Sequence, residues 1–144
     1  MKNKPNDLTK ILHFIQEHHV LSLATSHNDR PSVCSLFYAF DESVLSFIVA
    51  SSEETHHIKQ VEDNKYVAGN ILLETKTVGK IQGLQFFATM QKVSDEKMKK
   101  CYFQEFAYAR ALRPTLWQIK VSSFKFTDNR LGFGKKIIYE CSSL

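Results

Sequence analysis

Residues 80–93 restrict the fold more than any other stretch of this chain. Leu84, Phe86, Ala88 and Met90 fall on one side of an extended backbone, and Gln85, Thr89 and Gln91 on the other. Side chains alternate between the two faces of a strand, so the segment reads as a long strand with one buried face and one wetter face. Gly83 inside it suggests a bend or bulge. A second long strand begins at Trp117. Trp117, Ile119 and Val121 share one parity, and Phe124 and Phe126 the other. A flip of parity at Ser122-Ser123 requires an extra residue, hence a bulge or corner.

Shorter elements surround these two. Residues 20–26, 32–40 and 44–50 are apolar runs separated by the turn-forming His27-Asn28-Asp29 and Asp41-Glu42-Ser43, and they read as an antiparallel meander. Residues 66–73 and 133–140 read as further strands. Leu8, Ile11, Leu12 and Ile15 recur at helical spacing, which predicts a helix over about 7–18 capped by Asp7. A short helix is expected at about 55–63, with Ile58 and Val61 inward. A long one is expected from 95 to 112, stopped by Arg113-Pro114. Many short strands and few helices in 144 residues favour a closed or partly closed barrel. The fold class is therefore mainly β (α+β), with about six to seven strands and flanking helices. No repeat, linker or low-complexity segment divides the sequence, so residues 1–144 are expected to form a single domain.

Composition narrows the function classes. The formal charge of +4 comes from scattered residues such as Lys2, Lys4, Lys59, Lys97, Lys99, Lys100, Lys135 and Lys136. Such an excess suits a phosphate-bearing ligand as well as it suits nucleic acid, but no nucleic-acid-binding motif is present, and none is expected to bind. Cys34, Cys101 and Cys141 are odd in number and far apart, which argues against a disulfide framework or a zinc site. The first residues lack the apolar core of a signal peptide, and no apolar run approaches a membrane span. A soluble, cytoplasmic protein is the expectation.

Thr55-His56-His57 opens the short helix. It can be a solvated helix start. It can hold a metal, although adjacent helical positions point about 100° apart and seldom chelate one ion. It can also be an anion site, because the first N–H groups of a helix have no partners and the dipole there is positive. Thr adds a hydroxyl donor, and each His adds a donor that can also carry charge.

The order of elements from Val20 to Glu140 carries a resemblance. An apolar strand end, a Ser/Thr-basic-basic triplet opening a short helix, and a strand such as Tyr66-Val67-Ala68-Gly69 resemble the FMN-binding split barrel of the pyridoxamine 5'-phosphate oxidase family. Lys125-Phe126-Thr127-Asp128-Asn129 with Leu131-Gly132-Phe133-Gly134-Lys135-Lys136 is similar to the signature of one branch, the YhbP-like (UPF0306) proteins. That branch has Thr-Arg-His where this chain has Thr-His-His. The resemblance implies a split antiparallel β-barrel that binds FMN. Thr55, His56 and His57 would grip the phosphate. Cys34, Ser35 and Leu36 would contact the flavin ring, with Ile48 and Val49 opposite, although ordinary core is the competing reading of the apolar members. Thr127 and Lys135 match positions that a second subunit supplies, so a homodimer with the site at its interface is implied, and exposed Trp117, Phe124 and Phe126 are expected to mark that interface. Haem or another ligand held without catalysis is the alternative, since related split barrels bind haem.

Departures from the family matter too. Cys34 stands where the oxidase has arginine, and Phe106 stands where an arginine holds the substrate phosphate. An apolar residue cannot hold a phosphate, so the implied activity is a flavin-dependent oxidoreductase on a small substrate other than pyridoxamine phosphate. No acid–base pair, nucleophile or Gly-rich dinucleotide fingerprint is visible, and no catalytic residue is assigned. Gly132-Phe133-Gly134 reads as a turn.

Overall fold

The computed structural model describes Lys4 and residues 6–141. Lys2, counted above among the basic residues, lies outside them. The elements in chain order are α1 (Asp7–Glu17), β1 (Val20–His27), β2 (Arg30–Phe37), β3 (Ala39–Asp41), β4 (Ser46–Ala50) and α2 (His56–Asp63). They continue with β5 (Tyr66–Leu72), β6 (Gln82–Lys92), α3 (Glu96–Glu105), β7 (Leu116–Asp128) and β8 (Lys136–Glu140). The strands form one eight-stranded sheet in the order β2-β1-β5-β6-β7-β4-β3, with β8 also on β7.

That order and the chain path together dictate a barrel. β2 and β3 are the two ends of the seven-strand path, yet only Tyr38 separates them in sequence. Laid flat, seven strands would hold their outer members about 29 Å apart. The two backbone steps across Tyr38 cover about 7 Å. The sheet must therefore curl until its ends meet, which gives a split antiparallel β-barrel. Tyr38 is pinned at the corner. Its N–H donates to the His19 carbonyl at 3.1 Å, its hydroxyl donates to the Ile15 carbonyl at 2.6 Å, and its ring packs on Phe47. The single strand expected over 32–40 is thus two strands, because the corner breaks it.

The parity flip in β7 is a bulge, as expected. Phe87 pairs with Ser123 and Ala88 with Val121, leaving Ser122 as the extra residue, and its hydroxyl donates to the Phe87 carbonyl at 3.0 Å. Gly83 is regularly paired with Thr127, so β6 carries no bulge there, and the one register shift along this strand pair is the extra Ser122 of β7. β4 and β8 occupy successive halves of the same β7 edge, at Leu116–Lys120 and Ser123–Thr127.

Several boundaries move for local reasons. Asn6, not Asp7, is the N-cap of α1, and Asp7 instead accepts the Lys4 N–H at 3.2 Å. The predicted long helix ends at Glu105, because Phe106 leaves helical geometry (φ −129°, ψ 63°), and a 3-10 turn covers Ala107–Leu112. β4 starts at Ser46 after Leu45 takes a positive φ of 44°. β8 starts at Lys136 because the Asn129 side chain closes a turn by accepting the Gly134 N–H at 3.2 Å.

The core fills the barrel interior with Phe14, Phe47, Phe86, Trp117, Phe124 and Phe126 among others. This corrects the interface expectation: Trp117, Phe124 and Phe126 are 3%, 1% and 2% exposed, so they hold the barrel together and present nothing to a partner. The β7 pattern that singled them out is an inward one on both sides of the bulge. A smaller cluster under α3 contains Ile48, Val93, Met98, Tyr102 and Leu116.

Candidate functional site

The triplet sits where β4 feeds α2. Thr55 is the N-cap, but its hydroxyl donates back to the Ser52 carbonyl at 2.9 Å and does not cap the helix. The leading amides of α2 thus have no side-chain acceptor, and the helix dipole leaves them positive. His57 turns toward β4. Its Nε2 lies 2.6 Å from the Ser51 hydroxyl and 3.4 Å from the Thr55 hydroxyl. Ser51 is itself held by two bonds: its N–H donates to the Thr115 carbonyl at 3.0 Å, and its carbonyl accepts the Trp117 indole N–H at 2.9 Å. Burial, with the neighbouring His56 second, pushes the His57 pKa below its ordinary value. His56 points elsewhere. It lines a hollow of about 600 Å³ between α2 and the β1–β2 turn, together with His27, Arg30 and Lys59. Thr55 and His57 are therefore brought together, and His56 is not. Ser51 and Trp117 were missed in the sequence; the serines just before the triplet were the only local signal.

The residues assigned to the ring divide between faces. Cys34 and Leu36 pack against the main core, and Ser35 faces outward. Val49 lies in the main core and Ile48 beneath α3, both fully buried, so in this fold each offers a ligand only its backbone. Val49 and Ala50 pair with Trp117 and Leu116 on one side, while β3 ends its pairing at Ile48 on the other. Among the described residues no strand is hydrogen-bonded to that edge of β4, although β2 approaches it, which leaves the barrel seam next to Ser51 unpaired. Burial raises the thiol pKa of Cys34, and that of Cys141 to about 11, with Glu140 adding to the latter. Burial, then Asp41 and Glu105, raise Cys101. None of the three is a ready thiolate.

The C-terminal motif is largely a latch. The buried Asp128 accepts from the Arg130 N–H at 3.0 Å, its Nε at 3.0 Å and its Nη2 at 2.9 Å, and this side-chain bonding holds the carboxyl below its ordinary pKa. Asn129 donates to the Val78 carbonyl at 2.8 Å. Thr127 stands in this latch and Lys135 in the exposed turn beyond it. Thr127 lies ten residues along β7 from Trp117, about 33 Å of strand, so within one chain it cannot join Thr55 and His57.

The outer face of the sheet carries a groove of about 760 Å³. The strand registers align Val33, Ala24, Ala68, Phe87, Ser123 and Glu140 in one row across six strands. Small residues make the floor, and Val33 and Phe87 stand up from it, 72% and 66% exposed. Among the described residues, no helix is long and apolar enough to cross a membrane, and no group of His, Cys, Asp and Glu could hold a metal ion.

No protein-family profile matches the chain. The UPF0306 protein YhbP of Escherichia fergusonii is 34% identical over 139 residues, covering 94% of this chain and 95% of that protein. A haem binding protein from Mycobacterium smegmatis superposes with a TM-score of 0.79 at 11% identity, over 96% of this chain and 59% of the other. A protein related to general stress protein 26, of the pyridoxinephosphate oxidase family of Clostridium acetobutylicum, superposes with a TM-score of 0.72 at 12% identity, over 96% of each chain. At such identities the two structures establish a shared split-barrel fold. The relative's identity over nearly its whole length does more, and the chain belongs to the UPF0306 (YhbP) family.

Proposed function

We propose that the chain binds FMN and serves as a flavin-dependent oxidoreductase for a small molecule. The observation that carries this is the uncapped start of α2, ringed by the Thr55 and Ser51 hydroxyls and the His57 imidazole beside an unpaired barrel seam. These groups fit a phosphate: free amides, hydroxyls that can turn from their present partners to donate, and an imidazole that can take a proton. Bound FMN supplies hydride and single-electron transfer. The chain's own part is to hold the phosphate at α2, to orient the ring along the seam with the backbone of Val49, and to keep water from it with the wall of β2. An absorption spectrum of the purified protein tests the reading. Flavin bands, or saturable uptake of added FMN, support it. A Soret band favours haem, the ligand of one fold neighbour, and a colourless protein that takes neither is a non-catalytic module.

Affinity for FMN should depend on pH through His57. Its pKa is lowered in the free chain, and a phosphate dianion beside it raises the pKa, so binding takes up a proton. The contribution is present below the free-state pKa and is lost as pH rises through the bound-state one. Each unit between the two pKa values is a factor of ten in affinity. The second ionisation of the phosphate, near pH 6, flattens the acid side. Titrations between roughly pH 6.5 and 8.5 should show weakening, and His57→Lys should flatten it. A flat profile for the native protein would leave His57 as a packing residue only.

The substrate is not pyridoxamine phosphate. Phe106 stacks on Tyr102 at 4.9 Å and meets Phe37 at 6.2 Å, so an aromatic cluster stands where a cation would be needed. FMN-loaded protein should give no turnover of pyridoxamine phosphate in an oxygen-consumption assay. Turnover at the rate of a true oxidase would refute the assignment of Phe106.

A second copy of the chain covers the outer groove in this proposal and brings Thr127 and Lys135 to the seam of its neighbour, since neither can reach it within one chain. Val33, Phe87 and Ile138 are exposed along the groove, an apolar rim of the kind that interfaces cover. Light scattering at micromolar concentration should report a dimer, and Phe87→Glu a monomer. A native monomer would remove the interface.

A further inference from the structure

We infer that the chain carries a second anion site, for a small molecule bearing a diphosphate or similar polyanionic group, in the cleft behind the Ser51–Glu54 loop. The cleft has a volume of about 340 Å³ and lies between the end of β6, α3 and the start of β7. Four cations line it: Lys92, Lys99, Arg110 and Arg113. Two carboxylates reach them, Glu53 to Lys92 at 3.1 Å and Glu96 to Lys99 at 3.5 Å. Arg110 lies over the Phe103 ring at 4.6 Å, and neither it nor Arg113 meets a carboxylate among the described residues. The site thus keeps two arginines without a carboxylate partner, one of them stacked over Phe103, beside an apolar floor of Val93, Phe103 and Leu116. Guanidinium groups present paired donors that match phosphate oxygens.

Arg113 ends the 3-10 turn with φ 47° and ψ 56°, a left-handed conformation that glycine takes far more readily. Such a residue is an ordinary helix stop, and here it sets Arg113 at the rim of the cleft beside Pro114. No residue lining the cleft belongs to the His57 cluster, although Thr115 at its edge accepts the Ser51 N–H at 3.0 Å, so a His57 variant is needed to tell the two positions apart.

Calorimetric titration of inorganic pyrophosphate and of ADP into flavin-free protein at low ionic strength tests the site. Saturable binding of pyrophosphate is expected. It should weaken roughly tenfold in Arg110→Met, which keeps packing on Phe103, and in Arg113→Gly, which relaxes the backbone. Lys76→Ala, on a distant loop, should leave it unchanged. Tighter binding of ADP than of pyrophosphate would show that the apolar floor takes a base, and equal binding that the diphosphate alone is read; either supports the site. Because glycine suits the backbone at 113, that variant remains interpretable even if Arg110→Met lowers the melting temperature. Unsaturable heats, or equal binding by native protein and Arg113→Gly, would overturn the inference. So would a loss in His57→Ala with none in Arg113→Gly, which would place the anion at α2.

Discussion

Phe47→Ala should cost the fold about 3–5 kcal/mol. The ring is fully buried and stands within 5.0 Å of three others, Tyr38, Phe40 and Phe86. Those contacts join β3 and β4, at one end of the strand order, to the corner residue Tyr38 and across the interior to β6. Removing the ring leaves a cavity walled by paired strands, which can relax only a little. A domain of this size has about 5–15 kcal/mol in all, so the variant should sit near the threshold of folding. Urea denaturation measures the loss. A change under about 1 kcal/mol would mean that the neighbouring rings close the space.

Gly69→Ala should cost about 1–3 kcal/mol, toward the upper end. A Cβ at this position would lie 2.3 Å from the Phe86 Cζ and 2.5 Å from the Ser22 carbonyl oxygen. Gly69 is paired on both sides, with Leu23 of β1 and Phe86 of β6, so the backbone cannot retreat from one neighbour without straining the other. Thermal melting of Gly69→Ala beside Gly69→Ala/Phe86→Leu separates the two clashes. A smaller ring should recover part of the loss, and no recovery would place the whole strain on the Ser22 carbonyl. Gly69 thus leaves room for both the Phe86 ring and the Ser22 carbonyl.

Strand identity was readable wherever one face is buried and the other wet. The alternation in β6 and the flip in β7 predicted two long strands and a bulge, and Ser122 is that bulge. What alternation could not reveal is which strand lies beside which. Residues 32–40 look like one strand because each half is apolar, yet Tyr38 turns the chain from β1 to β4. The same gap misled the reading of Trp117, Phe124 and Phe126. Their spacing shows that they share a face, but only closure of the barrel makes that face the inside. At the site, the start of α2 and its Thr cap position were legible from Thr55-His56-His57. The separation of His56 from His57 follows from helical geometry, which turns adjacent side chains about 100° apart. The bond from Trp117 to Ser51 spans 66 residues, and no local pattern announces it. The cleft cations come from three separate elements and were legible only as scattered charge.

The placement of β4 has a cost in time. Its residues pair from Ser46 with Lys120 to Ala50 with Leu116, so the strand has no β7 neighbour until some seventy more residues have been made. At roughly 5–20 residues per second of synthesis, some seventy intervening residues take about 4–14 s. Throughout that interval Phe47, Ile48 and Val49 are apolar and cannot be buried in their final places. Pairings this distant in sequence also make folding slow once the chain is free. A nascent chain of this protein is therefore a natural client for whatever shields hydrophobic segments at the ribosome, and one halted before Leu116 would carry an unpaired β4 edge ready to join another chain.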